Sequence, residues 1–199
     1  MNRTLRFVSS QYEGIIPDSK DAPGPYSSSD TSDSEFIENV NSLLTDYINA
    51  MEAVKLRLGL QTVMLISMRG NSYLQSSGLN KQLMTDNPIR CAQVISRATN
   101  LIYVLSVLIY PFMPATSESI LRQLNAPDRT VPSRLSNDIL AGHQIGTTSH
   151  LFQRIPKELT DVWKVRFGGN EVQQEPTKTK AKKGKKVGVA APVTDGPKP

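Results

Sequence analysis

The segment from Ile89 to Tyr110 constrains the fold most, because it is apolar on nearly every side of the helix that its pattern predicts. A surface helix keeps one polar face, whereas a helix that is apolar all round has to be buried. Asn87 and Pro88 mark its start as an N-cap and a first helical residue, and Pro111 ends it. We therefore expect this helix at the centre of a helical bundle.

Amphipathic helical patterns lie on both sides of this central segment. Ser32 and Glu35 form a capping-box pair that opens one of these helices. Its apolar side chains recur at helical spacing and form one stripe: Phe36, Val40, Leu43, Leu44, Tyr47 and Met51. No convincing segment alternates with the period of a strand. The sequence thus predicts an all-α bundle of about five main helices with short extra helices. The other predicted helices are Asn2–Glu13, Glu52–Gln75, Ala115–Leu124 and Pro156–Phe167.

Two segments are poor in apolar residues. Residues 18–33 form a Ser/Asp/Pro/Gly loop that we expect to be mobile, and residues 170–199 form a disordered, Lys-rich tail. Residues 1–169 are therefore predicted to be one helical domain. The tail carries seven lysines against three acidic residues, a net charge of +4, so it accounts for most of the +5 of the chain.

Several classes of protein are disfavoured. The single cysteine, Cys91, allows no internal disulfide and indicates a reducing compartment. The two histidines of the chain lack the spacing of metal ligands, and no catalytic constellation is recognisable. No catalytic residue, metal site or cofactor is therefore expected in this chain. The N-terminus lacks the apolar core of a signal peptide, and the most apolar run, 101–113, is too short to cross a bilayer. We expect a soluble cytoplasmic protein with no membrane partner.

The stretch from Gly70 to Gln75 places a glycine and several polar side chains at the end of an apolar helix. Gly70 costs about 1 kcal/mol relative to Ala in a helix, so we expect a neighbouring helix to pack closely there. Asn71 and Gln75 share another face, with Tyr73 to one side. These groups could tie down the following loop or read a nucleotide. One buried stripe is predicted from Leu56, Leu60, Val63, Ser67, Gly70 and Leu74.

The tail contains six lysines within nine residues, which would neutralise several phosphates and bind RNA without sequence preference. Such segments also serve as solubilising or localisation patches, so both interpretations remain open. The candidate RNA-binding lysines are Lys178, Lys180, Lys182, Lys183, Lys185 and Lys186.

A turn is predicted at His143 to Gly146, although these residues look like the His-x-Gly-His signature of class I synthetases with its ending altered. That signature works where a strand opens into a helix, and here no strand precedes it. We expect His143 to pack against the bundle.

Six short motifs occur in order along the chain. They are Asn2-Arg3, Gly70–Gln75, Leu108–Pro114, Ala141–Gly146, Leu151–Ile155 and Arg166–Gly169. Together they resemble the anticodon-binding helical domain of methionyl-tRNA synthetases of the eukaryotic cytosolic kind, over about residues 1–169.

The resemblance implies that this chain recognises a tRNA anticodon. In that family an Asn and, four residues later, an Arg of the first helix contact the anticodon. The Arg corresponds to Arg3, and the Asn would fall before Met1. A Pro-Trp pair often follows the Gly-Asn-x-Tyr-x-Gln motif, and Leu79 and Asn80 stand there instead. The implied anticodon-binding residues are Arg3, Asn71, Tyr73, Gln75 and Asn80.

The same resemblance implies a fragment of a longer enzyme. A complete synthetase attaches methionine to its tRNA with ATP and Mg in an upstream α/β catalytic domain, of which this chain shows nothing. The implied partners are tRNA, that catalytic domain and other synthetase-complex proteins reached through the tail. A non-catalytic helical protein-interaction module remains the alternative. An exposed apolar patch without basic surface beside it would favour the alternative.

Overall fold

The computed structural model of the chain describes residues 2–18, 31–128 and 130–168, and these residues contain seven helices and no sheet. The all-α prediction is therefore confirmed. The predicted tail, with its six candidate lysines, and most of the predicted mobile loop lie outside the described residues. The helices are α1 (Asn2–Gln11), α2 (Thr31–Glu52), α3 (Leu56–Ser76), α4 (Lys81–Asp86), α5 (Pro88–Ile109), α6 (Pro114–Leu124) and α7 (Lys157–Phe167).

The described residues fall into two compact units, one that ends at Gln153 and one that begins at Arg154. The first unit contains α1 to α6, and the second contains α7. The sequence had placed α7 in one domain with the other helices, up to residue 169. Most large apolar side chains of α7, among them Val162, Trp163 and Phe167, are exposed.

Helix α5 is the centre of the first unit, as its all-round apolar pattern predicts. It packs against α1, α3, α4 and α6. The Asn87 side chain caps it, because Oδ1 accepts a hydrogen bond from Arg90 N at 3.0 Å, and Pro88 is its first residue. At 22 residues α5 is long and apolar enough to cross a membrane, but 72% of its most apolar window is buried inside the structure. Burial among helices accounts for its composition.

The buried stripe of α3 differs from the predicted one in its first half. Val63, Gly70 and Leu74 are buried as expected, but Leu56 and Leu60 are 53% and 37% exposed. Gly59 takes their place and packs against Met51 of α2. The buried positions are Gly59, Thr62, Val63, Ile66, Gly70, Tyr73 and Leu74.

Close packing at Gly70 is confirmed. A Cβ atom added there would lie 2.3 Å from Leu101 Cδ2 of α5. The missing side chain thus lets α3 and α5 approach each other, which offsets the low helix propensity of glycine.

Two local predictions are wrong. Helix α2 begins at Thr31, so Ser32 lies inside its first turn and is not the N-cap, and Asp33 belongs to the helix and not to a mobile loop. Helix α4, whose N-cap is Asn80, is absent from the predicted helices. Leu140 is 65% exposed, although its neighbour Ile139 is buried.

The predicted turn before Gly146 is present. Gly142 has a φ of +83°, which an L side chain rarely adopts. The His143 ring is half-buried, and its Nε2 lies 2.7 Å from the carbonyl oxygen of Leu124. His143 therefore packs against the end of α6, as expected.

Candidate nucleic-acid interface

Arg3 connects α1 with the segment between α3 and α4. Its side chain is on the exposed surface, and Nη2 donates a hydrogen bond to the carbonyl oxygen of Leu79 at 2.9 Å. Leu79 itself is 2% exposed and anchors this segment in the core. Arginine has five N–H donors, and this contact holds the guanidinium while leaving other donors for a ligand. The exposed Asn80 follows directly, so two predicted site residues lie at one place.

Asn80 has a structural role in addition to any role in binding. Its Oδ1 accepts a hydrogen bond from Leu83 N at 2.8 Å and so caps the N-terminus of α4. Because the cap uses the carboxamide oxygen, Nδ2 is the group of Asn80 that can donate to a base.

Asn71 and Gln75 are both exposed on α3, one helical turn apart. Asn71 also lines a narrow crevice of about 30 Å³ together with Thr4 of α1 and Leu101 of α5. Thr4 is the neighbour of Arg3 in the chain. The end of α3 therefore lies beside the first turn of α1, which brings Asn71 and Arg3 to the same region of the molecule.

Tyr73 does not belong to this exposed face, which corrects the predicted contact with RNA. The side chain is 4% exposed, its ring stacks on Phe36 with centroids 4.3 Å apart, and its hydroxyl donates to Asp33 Oδ1 at 2.8 Å. Burial, and then the charge of Asp33, raise the pKa of the Tyr73 phenol. Tyr73 packs α3 against α2, so its contribution to a binding site is indirect.

Asp33 lies at the centre of a buried ionic cluster that joins three helices. Its carboxylate accepts hydrogen bonds from Arg90 of α5 and Tyr73 of α3, and Arg97 Nη2 lies 3.0 Å from Oδ2. Burial alone would raise the pKa of Asp33, but these hydrogen bonds and the two guanidinium charges outweigh it and hold that pKa below its ordinary value. The cluster fixes the C-terminal half of α3, which carries Asn71 and Gln75.

Sequence reasoning missed a second group of side chains on α1. His150 lies against this helix, with Nδ1 at 2.6 Å from Asn2 Nδ2 and Nε2 at 3.1 Å from Arg6 Nη2. Arg6 comes three residues after Arg3, so helical spacing could have placed it on the same side. No local signal marks His150, because it is 144 residues away from Arg6 in the chain.

The described residues include no group of three or more His, Cys, Asp or Glu side chains that could hold a metal ion. Cys91 is fully buried, and the Tyr12 hydroxyl lies 3.6 Å from its sulfur. Burial raises the pKa of the Cys91 thiol. A neutral, enclosed thiol is a poor nucleophile, so Cys91 acts as a small core residue.

The sequence of this chain is similar to that of a known family of domains and to those of two fungal proteins. Residues 24–172 match the family model described as the anticodon binding domain of methionyl tRNA ligase. The chain is 41% identical over 170 residues to a probable cytoplasmic methionine--tRNA ligase of Schizosaccharomyces pombe, which covers 85% of this chain and 22% of that protein. It is 35% identical over 172 residues to the cytoplasmic methionine--tRNA ligase of Saccharomyces cerevisiae, again with 22% of that protein covered. The chain thus spans about a fifth of the length of these relatives.

The fold has a counterpart among solved structures. The apo form of Mycobacterium tuberculosis methionyl-tRNA synthetase superposes with a TM-score of 0.63 at 20% sequence identity, over 77% of this chain and 30% of that one. At this identity the likeness concerns the fold alone, while the family match rests on the sequence. The chain belongs to the family of anticodon-binding domains of methionyl-tRNA ligases.

Proposed function

We propose that this chain binds the anticodon loop of methionine tRNA, as the C-terminal part of a cytoplasmic methionine--tRNA ligase. The observation that carries the proposal is the hydrogen bond from Arg3 to the Leu79 carbonyl, which joins α1 to the exposed Asn80. The family match and the names of the fungal relatives support the identity of the ligand and the compartment. The complete enzyme would attach methionine with ATP and Mg in its catalytic domain.

Recognition would take place through hydrogen bonds to base edges. The bases of a single-stranded loop are unstacked, so a protein can reach their edges. Arg3 offers fixed guanidinium donors, and the carboxamides of Asn71 and Gln75 offer both donors and acceptors. No covalent step is required of this chain, because its part is to hold the tRNA in register.

The six candidate lysines, Lys178, Lys180, Lys182, Lys183, Lys185 and Lys186, would add affinity without adding specificity. A cationic segment neutralises phosphates whatever the RNA sequence, and its contribution to affinity falls as the salt concentration rises. Contacts of the same segment with other synthetase-complex proteins belong to the proposal as well.

The test is a comparison of two RNAs by fluorescence anisotropy. One is an anticodon stem-loop of the methionine type, and the other differs at a single anticodon base. We expect the chain to prefer the first, and Arg3→Ala to reduce that preference by about 1–3 kcal/mol. Arg57→Ala is the matched control, since Arg57 is exposed on the same bundle but stands fourteen residues, about 20 Å, from Asn71 along α3. Equal affinity of the wild-type chain for both loops would overturn the proposal.

A second candidate function, a protein-interaction module, has one observation in its favour. Leu60, Met64 and Met68 recur every fourth residue on α3 and are 37%, 61% and 52% exposed. Exposed apolar rows mark interaction surfaces more often than isolated apolar side chains do. However, Arg57 and Arg69 are exposed on the same helix, so the apolar row does have basic surface beside it.

A second copy of the chain is the partner that can be tested directly. Sedimentation velocity would compare the wild-type chain with the pair Met64→Glu and Met68→Glu. A dimer that the double variant loses, together with no discrimination between the two stem-loops, would favour this candidate. A monomer that discriminates between them would remove it.

A further inference from the structure

We propose that His150 is a positioning residue of the RNA-binding face, which holds the guanidinium of Arg6 beside Arg3 so that Arg6 can contact an RNA phosphate. The inference rests on the proposed function, because it concerns how α1 presents its cations to RNA. Arg6 and His150 are absent from the site residues implied by the family resemblance.

The segment that carries His150 is fixed to the end of α6. Gly146 N donates to the Gln123 carbonyl oxygen at 3.0 Å, and Ser149 N donates to Gln123 Oε1 at 2.9 Å. A Cβ atom at Gly146 would lie 2.4 Å from the carbonyl oxygen of Arg122, so the segment runs directly against the helix backbone. Gln123 is itself 3% exposed and cannot move freely. His150 therefore stands at a fixed place over α1.

The contact with Arg6 determines the protonation of the ring. A guanidinium only donates hydrogen bonds, so His150 Nε2, at 3.1 Å from Arg6 Nη2, has to accept and carries no proton. The ring is then neutral, with its proton on Nδ1, which lies 2.6 Å from Asn2 Nδ2. That proton needs an acceptor.

Asn2 supplies the acceptor when its amide is reversed. Reversal exchanges Oδ1 and Nδ2 and leaves the heavy-atom positions unchanged. Before reversal, Asn2 Oδ1 is buried and without a hydrogen-bond partner among the described residues, which is costly for a carbonyl oxygen. After reversal it accepts from His150 Nδ1–H. The reversal therefore gives the His150 proton its acceptor, while Asn2 Nδ2 takes the buried position that has no partner among the described residues. His150 then bridges Asn2 and Arg6 across one turn of α1.

The bridge lowers the cost of binding through Arg6. An exposed arginine side chain has many rotamers, and fixing it against a phosphate costs conformational entropy. His150 restricts Arg6 in advance and leaves its remaining N–H donors for phosphate oxygens, which a guanidinium can engage at two points. Since Arg6 follows Arg3 by three residues, the two cations would meet adjacent parts of the RNA.

A double-mutant cycle on stem-loop affinity tests the inference. Arg6→Ala and His150→Ala should each weaken binding to the methionine-type stem-loop about fivefold, the size of one hydrogen bond. The double variant should bind the stem-loop as tightly as the single variant of lower affinity, because His150 acts through Arg6. His150→Gln should restore most of the affinity, since Gln also combines a donor with an acceptor. Additive losses, or unchanged affinity in His150→Ala, would overturn the proposal.

The RNA-free chain supplies a readout that does not depend on the proposed function. Ring ¹⁵N chemical shifts should show the ring proton of His150 on Nδ1, and Arg6→Ala should change the Nε2 shift. His143, which contacts the Leu124 backbone, is the internal reference and should not respond. The Nε2–H form at His150, or no response to Arg6→Ala, would refute the bridge even if RNA binds. A correct bridge without stem-loop binding would refute the proposed function and, with it, the role of Arg6 at a phosphate.

Discussion

Asp33 and Arg90 form a two-point ion pair between α2 and α5, with Arg90 Nη1 bound to Oδ2 and Nη2 bound to Oδ1. The Asp33 side chain is fully buried, while that of Arg90 is 18% exposed. Two parallel hydrogen bonds fix both the distance and the orientation of the groups. Through Tyr73, the same carboxylate also orients the end of α3 that carries the candidate RNA contacts.

Removing the charge of Asp33 should destabilise the bundle. Asp33→Asn leaves Arg90 and Arg97 without their carboxylate, and breaking one side of a buried pair costs about 3 kcal/mol. Urea unfolding followed by circular dichroism measures this loss. Asp46→Asn makes the same change at an exposed position of α2 and should stay within about 0.5 kcal/mol of wild type. Similar losses in both variants would contradict the role given to the cluster.

Acid should weaken the same cluster. The pKa of Asp33 is lower in the folded chain than its ordinary value, so the unfolded state binds more protons and stability rises with pH. The contribution is fully present above the unfolded pKa of about 4 and is lost as pH falls through the folded pKa. Urea titrations between pH 6 and pH 2 should show a steeper loss in wild type than in Asp33→Asn. Parallel curves would show that Asp33 has no depressed pKa.

Tyr73 should matter for stability and little for direct RNA contact. Tyr73→Phe keeps the stacking on Phe36 and removes the hydrogen bond to Asp33, so unfolding should become easier by about 1–2 kcal/mol. Discrimination between the two stem-loops should persist in this variant. Asn71→Ala and Gln75→Ala, by contrast, should reduce discrimination and barely change stability. If a Tyr73→Phe variant folds normally but binds both loops equally, the Tyr73 hydroxyl contacts the RNA and this prediction is wrong.

Two of the closely packed glycines, Gly146 and Gly70, should respond differently to alanine. At Gly146 the new Cβ meets the Arg122 backbone carbonyl, which cannot move without disturbing α6, so Gly146→Ala should cost about 1–3 kcal/mol. At Gly70 it meets only the end of the Leu101 side chain, and alanine gains about 1 kcal/mol of helix propensity. Gly70→Ala should therefore be the milder variant in thermal unfolding. The opposite order would mean that the Leu101 side chain cannot move away from the added Cβ atom.

Deleting residues 177–199 should flatten the salt dependence of RNA binding. Each lost phosphate contact lowers the slope of log affinity against log salt by about 0.7 for a single strand. The preference for the methionine-type loop should survive the deletion, because it depends on the bundle. Anisotropy titrations between 50 and 300 mM KCl measure both quantities. An unchanged slope would show that the lysines do not contact the RNA.

The sequence by itself determined the all-α class, six of the seven helices of the described residues and the central position of α5, but it missed α4. Period, N-cap chemistry and proline positions act within one or two helical turns, so Asn87-Pro88 could place the start of α5 correctly. The stripe of α2 and the close packing at Gly70 follow from the same short-range rules. The resemblance of the short motifs to a known family added the proposed ligand, an anticodon loop, and with it Arg3.

Only the tertiary structure decided which polar groups meet. Asp33 lies 57 residues from Arg90, Arg3 lies 76 residues from Leu79, and Arg6 lies 144 residues from His150. The composition of residues 18–33 predicted that Asp33 lies in a polar loop. The periodicity of α3 did not decide whether the Tyr73 side chain is buried or exposed. The bundle settled both, because a buried carboxylate needs cations and a buried phenol needs an acceptor, and those partners come from helices distant in the chain.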